Sequence, residues 1–231
     1  MIPRTAISPT VDAHPGLEYY EVLVFCSEDG QGGNRLGIVV GSSGLADDEC
    51  QRIAAELAPA ETVFIDDVEA GWLRIHTPTQ RIPFAGHPTV GATWLLHHLG
   101  YPVTRLFIDA GLPEVGATLQ GATVEAPAEW TMAWNLIQVA SPDEVNTAVA
   151  DGDGQHDYLW AWLDEERGLV RARAFASYAG VPEDEATGSA AIALCAQLGR
   201  ELTIGQGQGS LLHVSPGDNG RVLLTGRVRE A

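Results

Sequence analysis

Glu61 opens the apolar run Thr62-Val63-Phe64-Ile65. A carboxylate turned into such a run loses water, which penalises its ionised form and lets it take and return a proton near neutral pH. Turned outward, it is an ordinary solvated residue at a strand edge. Two further places gather small residues and hydroxyls ahead of apolar segments, Gly86-His87-Pro88-Thr89 and Ala186-Thr187-Gly188-Ser189. At a helix start the first backbone N–H groups have no intrahelical acceptor, so two such starts facing each other would form a pocket for a carboxylate. Thr89, Thr187 and Ser189 could instead simply cap those helices. His87, beside a proline, fits a structural turn as well as a catalyst, and Asp184 fits a helix-start carboxylate as well as a site residue.

The elements that must position these groups follow from pattern. Aliphatic and aromatic runs at 19–25 and 36–40 bracket the turn Gly30-Gln31-Gly32-Gly33-Asn34 and predict two strands joined by a loop. Asp47, Asp48 and Glu49 precede Cys50, Ile53, Ala54 and Leu57 at helical spacing, with a stop at Pro59. That predicts an amphipathic helix whose negative charges sit at its N-terminal end. Residues 61–65 and 71–77 read as strands, and 90–99 as a helix stopped by Gly100. Ser141-Pro142-Asp143-Glu144 has the signature of another helix start. Shifting the chain by 99 residues pairs Arg74 with Arg173, Pro83 with Pro182, Leu95 with Leu194 and Gly100 with Gly199. Such a repeat implies two domains of one design, each sending a strand through a loop into an apolar helix. The second helix, around 190–196, is apolar all round and belongs inside a wrapping sheet.

Composition removes whole classes of chemistry. Acidic residues number 31 against 13 basic, a formal net charge of -18, which argues against nucleic-acid or anionic-membrane partners. Every basic residue is arginine, so a lysine Schiff base, a P-loop lysine and a lysine general base are all impossible. Cys26, Cys50 and Cys195 form no CxxC pair, which speaks against a disulfide framework or thiolate zinc site and for a reducing cytoplasm. No metal is expected. Residues 1–17 read as a loose extension without a signal peptide, and no apolar stretch is long enough to span a bilayer. The polar stretch 151–157 fails as a calcium hand, and Gly41-Ser42-Ser43-Gly44 is no nucleophile elbow.

Taken in order, Gly33-Asn34, Glu61-Thr62-Val63-Phe64, Arg74-Ile75-His76-Thr77-Pro78, Phe84-Ala85-Gly86-His87-Pro88-Thr89 and the stretch from Gly180 through Glu183-Asp184-Glu185-Ala186-Thr187-Gly188-Ser189-Ala190 resemble the PhzF-like phenazine-biosynthesis family. The resemblance implies an α+β fold like that of diaminopimelate epimerase: two similar domains, each a curved, mostly antiparallel sheet around a central helix. The expected domains are 18–110 and 111–231, with the last strand able to return to the first. It further implies a cofactor-free, homodimeric isomerase, with Glu61 as proton-shuttling acid/base, His87, Asp184 and Ser189 as assisting groups, and substrate binding around Gly86, Thr89, Thr187 and Gly188. Ala85 and Thr187 occupy the places where the related epimerases carry two cysteines, so a two-thiol racemase is not expected. Arg81 and Glu185 depart from the family pattern, and the second domain is trimmed between about 124 and 169. Two other functions fit the sequence: a non-catalytic small-carboxylate-binding protein on this fold, or an acidic partner-binding module with Glu61 and Asp184 far apart on an exposed face.

Overall fold

The computed structural model describes residues 14, 16–150, 152, 156–177 and 181–231. Most of the expected N-terminal extension, most of the polar stretch 151–157 and Gly180 lie outside the described residues.

β1 (Glu18–Cys26) pairs antiparallel with β2 (Asn34–Val40), and α1 (Asp47–Leu57) then carries the chain over to β3 (Glu61–Asp67), which runs parallel to β2. β4 (Trp72–His76) and β5 (Arg81–Ile82) extend that edge antiparallel before α2 (Gly86–His98) enters the interior. The hairpin β6 (Glu114–Ala117) and β7 (Gly121–Pro127) follows, then β8 (Asn135–Gln138), α3 (Pro142–Thr147), β9 (Asp157–Asp164), β10 (Leu169–Ala176) and the short β11 (Val181–Asp184). α4 (Gly188–Leu198) is the second interior helix, and β12 (Leu202–Gln206), β13 (Ser210–Pro216) and β14 (Arg221–Glu230) complete the chain. The ladders are antiparallel except β2–β3, β8–β9 and β10–β12. β14 joins the sheet together, because it pairs with β1, β13 and β7.

Sequence patterning explains the layers. Along β3, Val63 and Ile65 turn inward to the large core that also holds Val90 and Leu95 of α2 and Ala191 and Leu194 of α4. Phe64 turns the other way, to a smaller cluster with Tyr19, Val39 and the apolar stripe Cys50, Ile53 and Ala54 of α1. Side chains alternate along a strand, so Glu61 shares the inner face with Val63 and Ile65. α2 is buried from Gly86 through Leu96. Val90, Ala92, Trp94, Leu95 and Leu96 leave this stretch without a charged face, as an element enclosed by sheet requires.

α2 begins four residues earlier than the pattern predicts, taking Gly86-His87-Pro88-Thr89 into its first turn. Pro88 is tolerated there because early helical N–H groups have no intrahelical acceptor to lose. α3 starts as predicted, with Ser141 Oγ accepting from the Glu144 N–H at 3.3 Å. The repeat register aligns the stop glycines Gly100 and Gly199, both at positive φ. It does not align the helix starts: Gly86 meets Gly188, whereas the register pairs it with Glu185. The offset of three residues combines a length difference of two, since α2 has 13 residues and α4 has 11, with an α4 end that falls one residue later in the register, at Leu198 against His98.

Candidate active site

Glu61 is the first residue of β3 and lies beside Leu36 of β2, its side chain 17% exposed. His87, in the first turn of α2, is 3% exposed and places Nδ1 at 2.9 Å from Glu61 Oε2. With Nδ1 protonated the imidazole donates to the carboxylate and fixes its orientation. His87 Nε2 is buried without a hydrogen-bond partner.

Asp184 ends β11 and faces the same region. Its Oδ1 accepts from Asn34 Nδ2 at 2.6 Å and its Oδ2 from Thr187 Oγ1 at 2.6 Å. Burial and then the charge of Glu61 push its carboxyl up to about 6, against the bonds from Thr187 and Asn34 and the charge of His87. Two carboxylates sharing a low-dielectric site disfavour double ionisation, so their protonation is a property of the pair. Asn34 also donates to Ala186 O at 3.0 Å, tying β2 to the segment that leads into α4. From the other side Gln206, fully buried at the end of β12, donates to Asp184 O and Thr187 Oγ1, both at 2.9 Å. Its Oε1 accepts from the Thr187 N–H at 3.2 Å and from Tyr158 OH at 3.1 Å. Burial raises the Tyr158 phenol far above its ordinary range, so that hydroxyl stays protonated and remains a donor.

Capping does not account for the hydroxyls at the two helix starts. Neither α2 nor α4 has a side-chain N-cap bond. Thr89 Oγ1 donates back to Ala85 O at 2.6 Å, Thr187 serves Asp184, and Ser189 Oγ accepts from Trp134 Nε1 at 3.1 Å. The helix starts abut through glycine: a Cβ on Gly86 would lie 3.0 Å from Gly188 Cα and 2.6 Å from Leu224 Cδ2. Only two residues without side chains allow the amide-rich ends to approach this closely.

Beside this junction lies a cavity of about 50 Å³. Glu61, Asp184, Thr187 and Ser189 line it together with the apolar Ile82, Phe84, Met132, Trp134, Ala176 and Val181. The structure thus brings Glu61, Asp184, Thr187 and Ser189 to one space, with His87 behind Glu61. Gly86 and Gly188 form the helix junction, and Thr89 is turned into its own helix. Glu61 and Asp184 therefore do not occupy separate exposed faces, which removes the acidic partner-binding module. Ala85 and Thr187 also line the cavity, whereas the cysteines do not. Burial holds the Cys50 and Cys195 thiols up at about 11, away from thiolate chemistry. Arg81 is engaged elsewhere, with Asp47 at 2.6 Å and Asp109 at 2.5 Å. Glu185 accepts from the Gln208 N–H at 2.8 Å and from Ser210 Oγ at 2.7 Å.

The sequence did not single out Gln206, Tyr158 or Trp134 as site residues, and Asn34 stood out only as part of a motif. The glycine turn before Asn34 and Gly207 after Gln206 were the available signals; Trp134 carries no local one.

A family model for phenazine biosynthesis-like proteins, PhzC-PhzF, matches residues 22–114. Over 241 aligned positions the chain is 30% identical to an uncharacterized isomerase of Deinococcus radiodurans, covering 81% of this chain and 78% of that protein. The chain belongs to the PhzF-like phenazine-biosynthesis family. This PhzF-like chain is also 29% identical over 232 residues to the trans-2,3-dihydro-3-hydroxyanthranilate isomerase of Pseudomonas aeruginosa, covering 82% of each. A shorter match, 42% identical over 100 residues, covers 41% of this chain and 34% of an uncharacterized isomerase of Pasteurella multocida. All three relatives carry the name isomerase, and the PhzF-like chain belongs to that enzyme class. The PhzF-family phenazine biosynthesis protein of Bacillus anthracis shares its fold, with a TM-score of 0.71 at 18% identity over 92% of this chain and 96% of that one. Among the described residues of this PhzF-like isomerase, no group of three or more His, Cys, Asp or Glu side chains is placed to hold a metal ion. No described helix is long and apolar enough to cross a membrane.

Proposed function

We propose that this isomerase moves a proton between two carbons of a small cyclic or amino-acid-derived carboxylate, with Glu61 as the acid/base and no cofactor. The observation that carries the proposal is the Glu61 carboxylate, mostly shielded from water, oriented by buried His87 and opening on a cavity that also receives Asp184. The ionised carboxylate takes a proton from a carbon next to a diene or carbonyl, the electron pair delocalises into that system, and the resulting carboxylic acid returns the proton at another carbon. Atoms and charge balance without metal or redox partner. His87 holds the carboxylate in place through both steps. Asp184, near neutrality in its titration, meets a polar substituent of the substrate, and protonation of Glu61 relieves the repulsion between the two acids. Ser189 and the backbone N–H groups around Gly86, His87, Gly188 and Ser189 receive the substrate's own carboxylate.

The name of the Pseudomonas relative suggests trans-2,3-dihydro-3-hydroxyanthranilate as the first compound to try. The proposed working form is a cytoplasmic homodimer of two-domain subunits divided near residue 110, with its mass to be read by light scattering. The catalytic test replaces Glu61 by Gln and follows solvent deuterium into that compound by mass spectrometry. Loss of the general acid/base should slow exchange by about 10²–10⁴-fold. Equal exchange in both proteins rejects Glu61. Binding that raises the melting temperature with no exchange in the unmutated protein makes this chain a carboxylate-binding protein instead.

A further inference from the structure

Trp134 stands immediately before β8, and its indole forms part of the cavity wall. The ring is held from two sides, against His156 with centroids 3.9 Å apart and the planes tilted by 41°, and edge-on to Tyr158 at 6.2 Å and 66°. Its Nε1–H donates to Ser189 Oγ at 3.1 Å. An indole nitrogen is only ever a donor, while a serine hydroxyl offers one donor and two acceptor positions. The bond therefore consumes an acceptor position on Ser189 and leaves the Oγ–H to donate elsewhere. Ser189 lies in the first turn of α4, among N–H groups that no side chain caps, and it lines the same cavity. Glu61 and Asp184 repel an anionic oxygen from their part of the space, so the donors around Ser189 are the place left for one. Phe84 and Ile82 add apolar wall to that of the indole.

Resting on the assignment of this cavity to the ligand, we infer that Trp134 is a positioning and specificity-determining residue: it commits the Ser189 hydroxyl to donate to a ligand carboxylate and offers a flat wall to the ring that bears it. The cavity so arranged selects planar ring acids over their neutral amides.

The test measures binding, so it is independent of turnover. Anthranilate and anthranilamide are titrated by calorimetry into the unmutated protein, Trp134→Phe, Ser189→Ala and the double variant, with a thermal melt of each. Trp134→Phe keeps a ring and removes the donor. It should weaken anthranilate about tenfold, the scale of one hydrogen bond to a charged group, and leave anthranilamide nearly unchanged. In the Ser189→Ala background the same replacement should have no further effect. In the unmutated protein the indole ¹⁵N resonance of Trp134 should move further on adding anthranilate than on adding anthranilamide, whose ring meets the same wall without the carboxylate, a measurement that needs no variant. Equal losses for acid and amide, additive losses in the double variant, or a silent indole resonance would reduce Trp134 to packing and overturn the inference. Failure of the unmutated protein to bind anthranilate at millimolar concentration would overturn the ring-acid selectivity, whereas the Glu61 exchange experiment would stand on its own result.

Discussion

Replacing Asp184 by Asn isolates what the raised carboxyl of this partly buried acid does to stability. In the folded protein the Asp184 carboxyl is pushed up to about 6 from its ordinary 3.8, by burial first and the charge of Glu61 second. Between these two pH values the folded chain keeps a proton that the unfolded chain has released. Stability contributed by this group is therefore complete below about pH 4 and drains away as pH rises through 6. At about 1.4 kcal/mol for each tenfold change in proton affinity, the loss is on the order of 3 kcal/mol. Asn cannot ionise, so Asp184→Asn should lack this slope. It introduces a fixed cost of its own, because one of its two polar atoms is a donor facing the donors Asn34 Nδ2 and Thr187 Oγ1. Urea unfolding of both proteins from about pH 3 to pH 7 separates the two effects. The fixed cost appears at acid pH, and the variant should then gain on the unmutated protein by about 3 kcal/mol as pH rises. His76, whose imidazole is pushed down to about 4 by burial and Arg81, acts in the opposite sense but is present in both proteins and cancels in the difference. A pH-independent difference would refute the raised Asp184 carboxyl and the burial and neighbouring charge argued to cause it.

Two further changes probe the frame around the site. Gly86→Ala forces a methyl group to 2.6 Å from Leu224 Cδ2 and 3.0 Å from Gly188 Cα, contacts that require movement. The expected cost is about 1–3 kcal/mol, seen as a melting temperature lower by roughly 2–10 °C, and an unchanged melt would mean that the helix starts are loosely packed. Arg81→Ala removes partly exposed ion pairs with Asp47 and Asp109 and should cost only about 1 kcal/mol, less in 1 M salt. Because Arg81 does not line the cavity, anthranilate affinity should be unaltered, and a loss beyond about threefold would place that arginine in the ligand's reach.

Much of the frame was legible because it is written locally. Val63 and Ile65 against Phe64 announce a strand buried on both faces, and Asp47 to Leu57 announces one amphipathic helix. The all-apolar segments after Thr89 and Ser189 can be stable only inside a sheet. Glu61, His87, Asp184 and Ser189 were accessible through short motifs. What escaped depends on separation along the chain. Gln206 reaches Thr187 and Tyr158 through bonds between residues 19 and 48 positions apart, and Asn34 reaches Asp184 across 150. No spacing rule announces such pairs. The hydroxyls of Thr89, Thr187 and Ser189 looked like caps because capping is the commonest local use of those residues at a helix start. Ala85 O and Asp184, four and three positions from Thr89 and Thr187, are local competitors of capping, whereas Trp134, 55 positions from Ser189, is a partner that only the folded chain brings near.

The placement of β14 bears on how a ligand could come and go. The C-terminal strand is stitched by hydrogen bonds to β1 on one side and to β13 and β7 on the other, while Glu61 belongs to the sheet continuing from β1 and Asp184 to the part continuing from β13. At that seam the described strands are hydrogen-bonded edge to edge, so prying the two acids apart there must twist or shear a continuous ribbon of backbone. On the proposed reading of the site, admission and release would be coupled to the stiffness of the last ten-residue strand, and weakening its ladder would alter traffic without touching a single residue that lines the cavity.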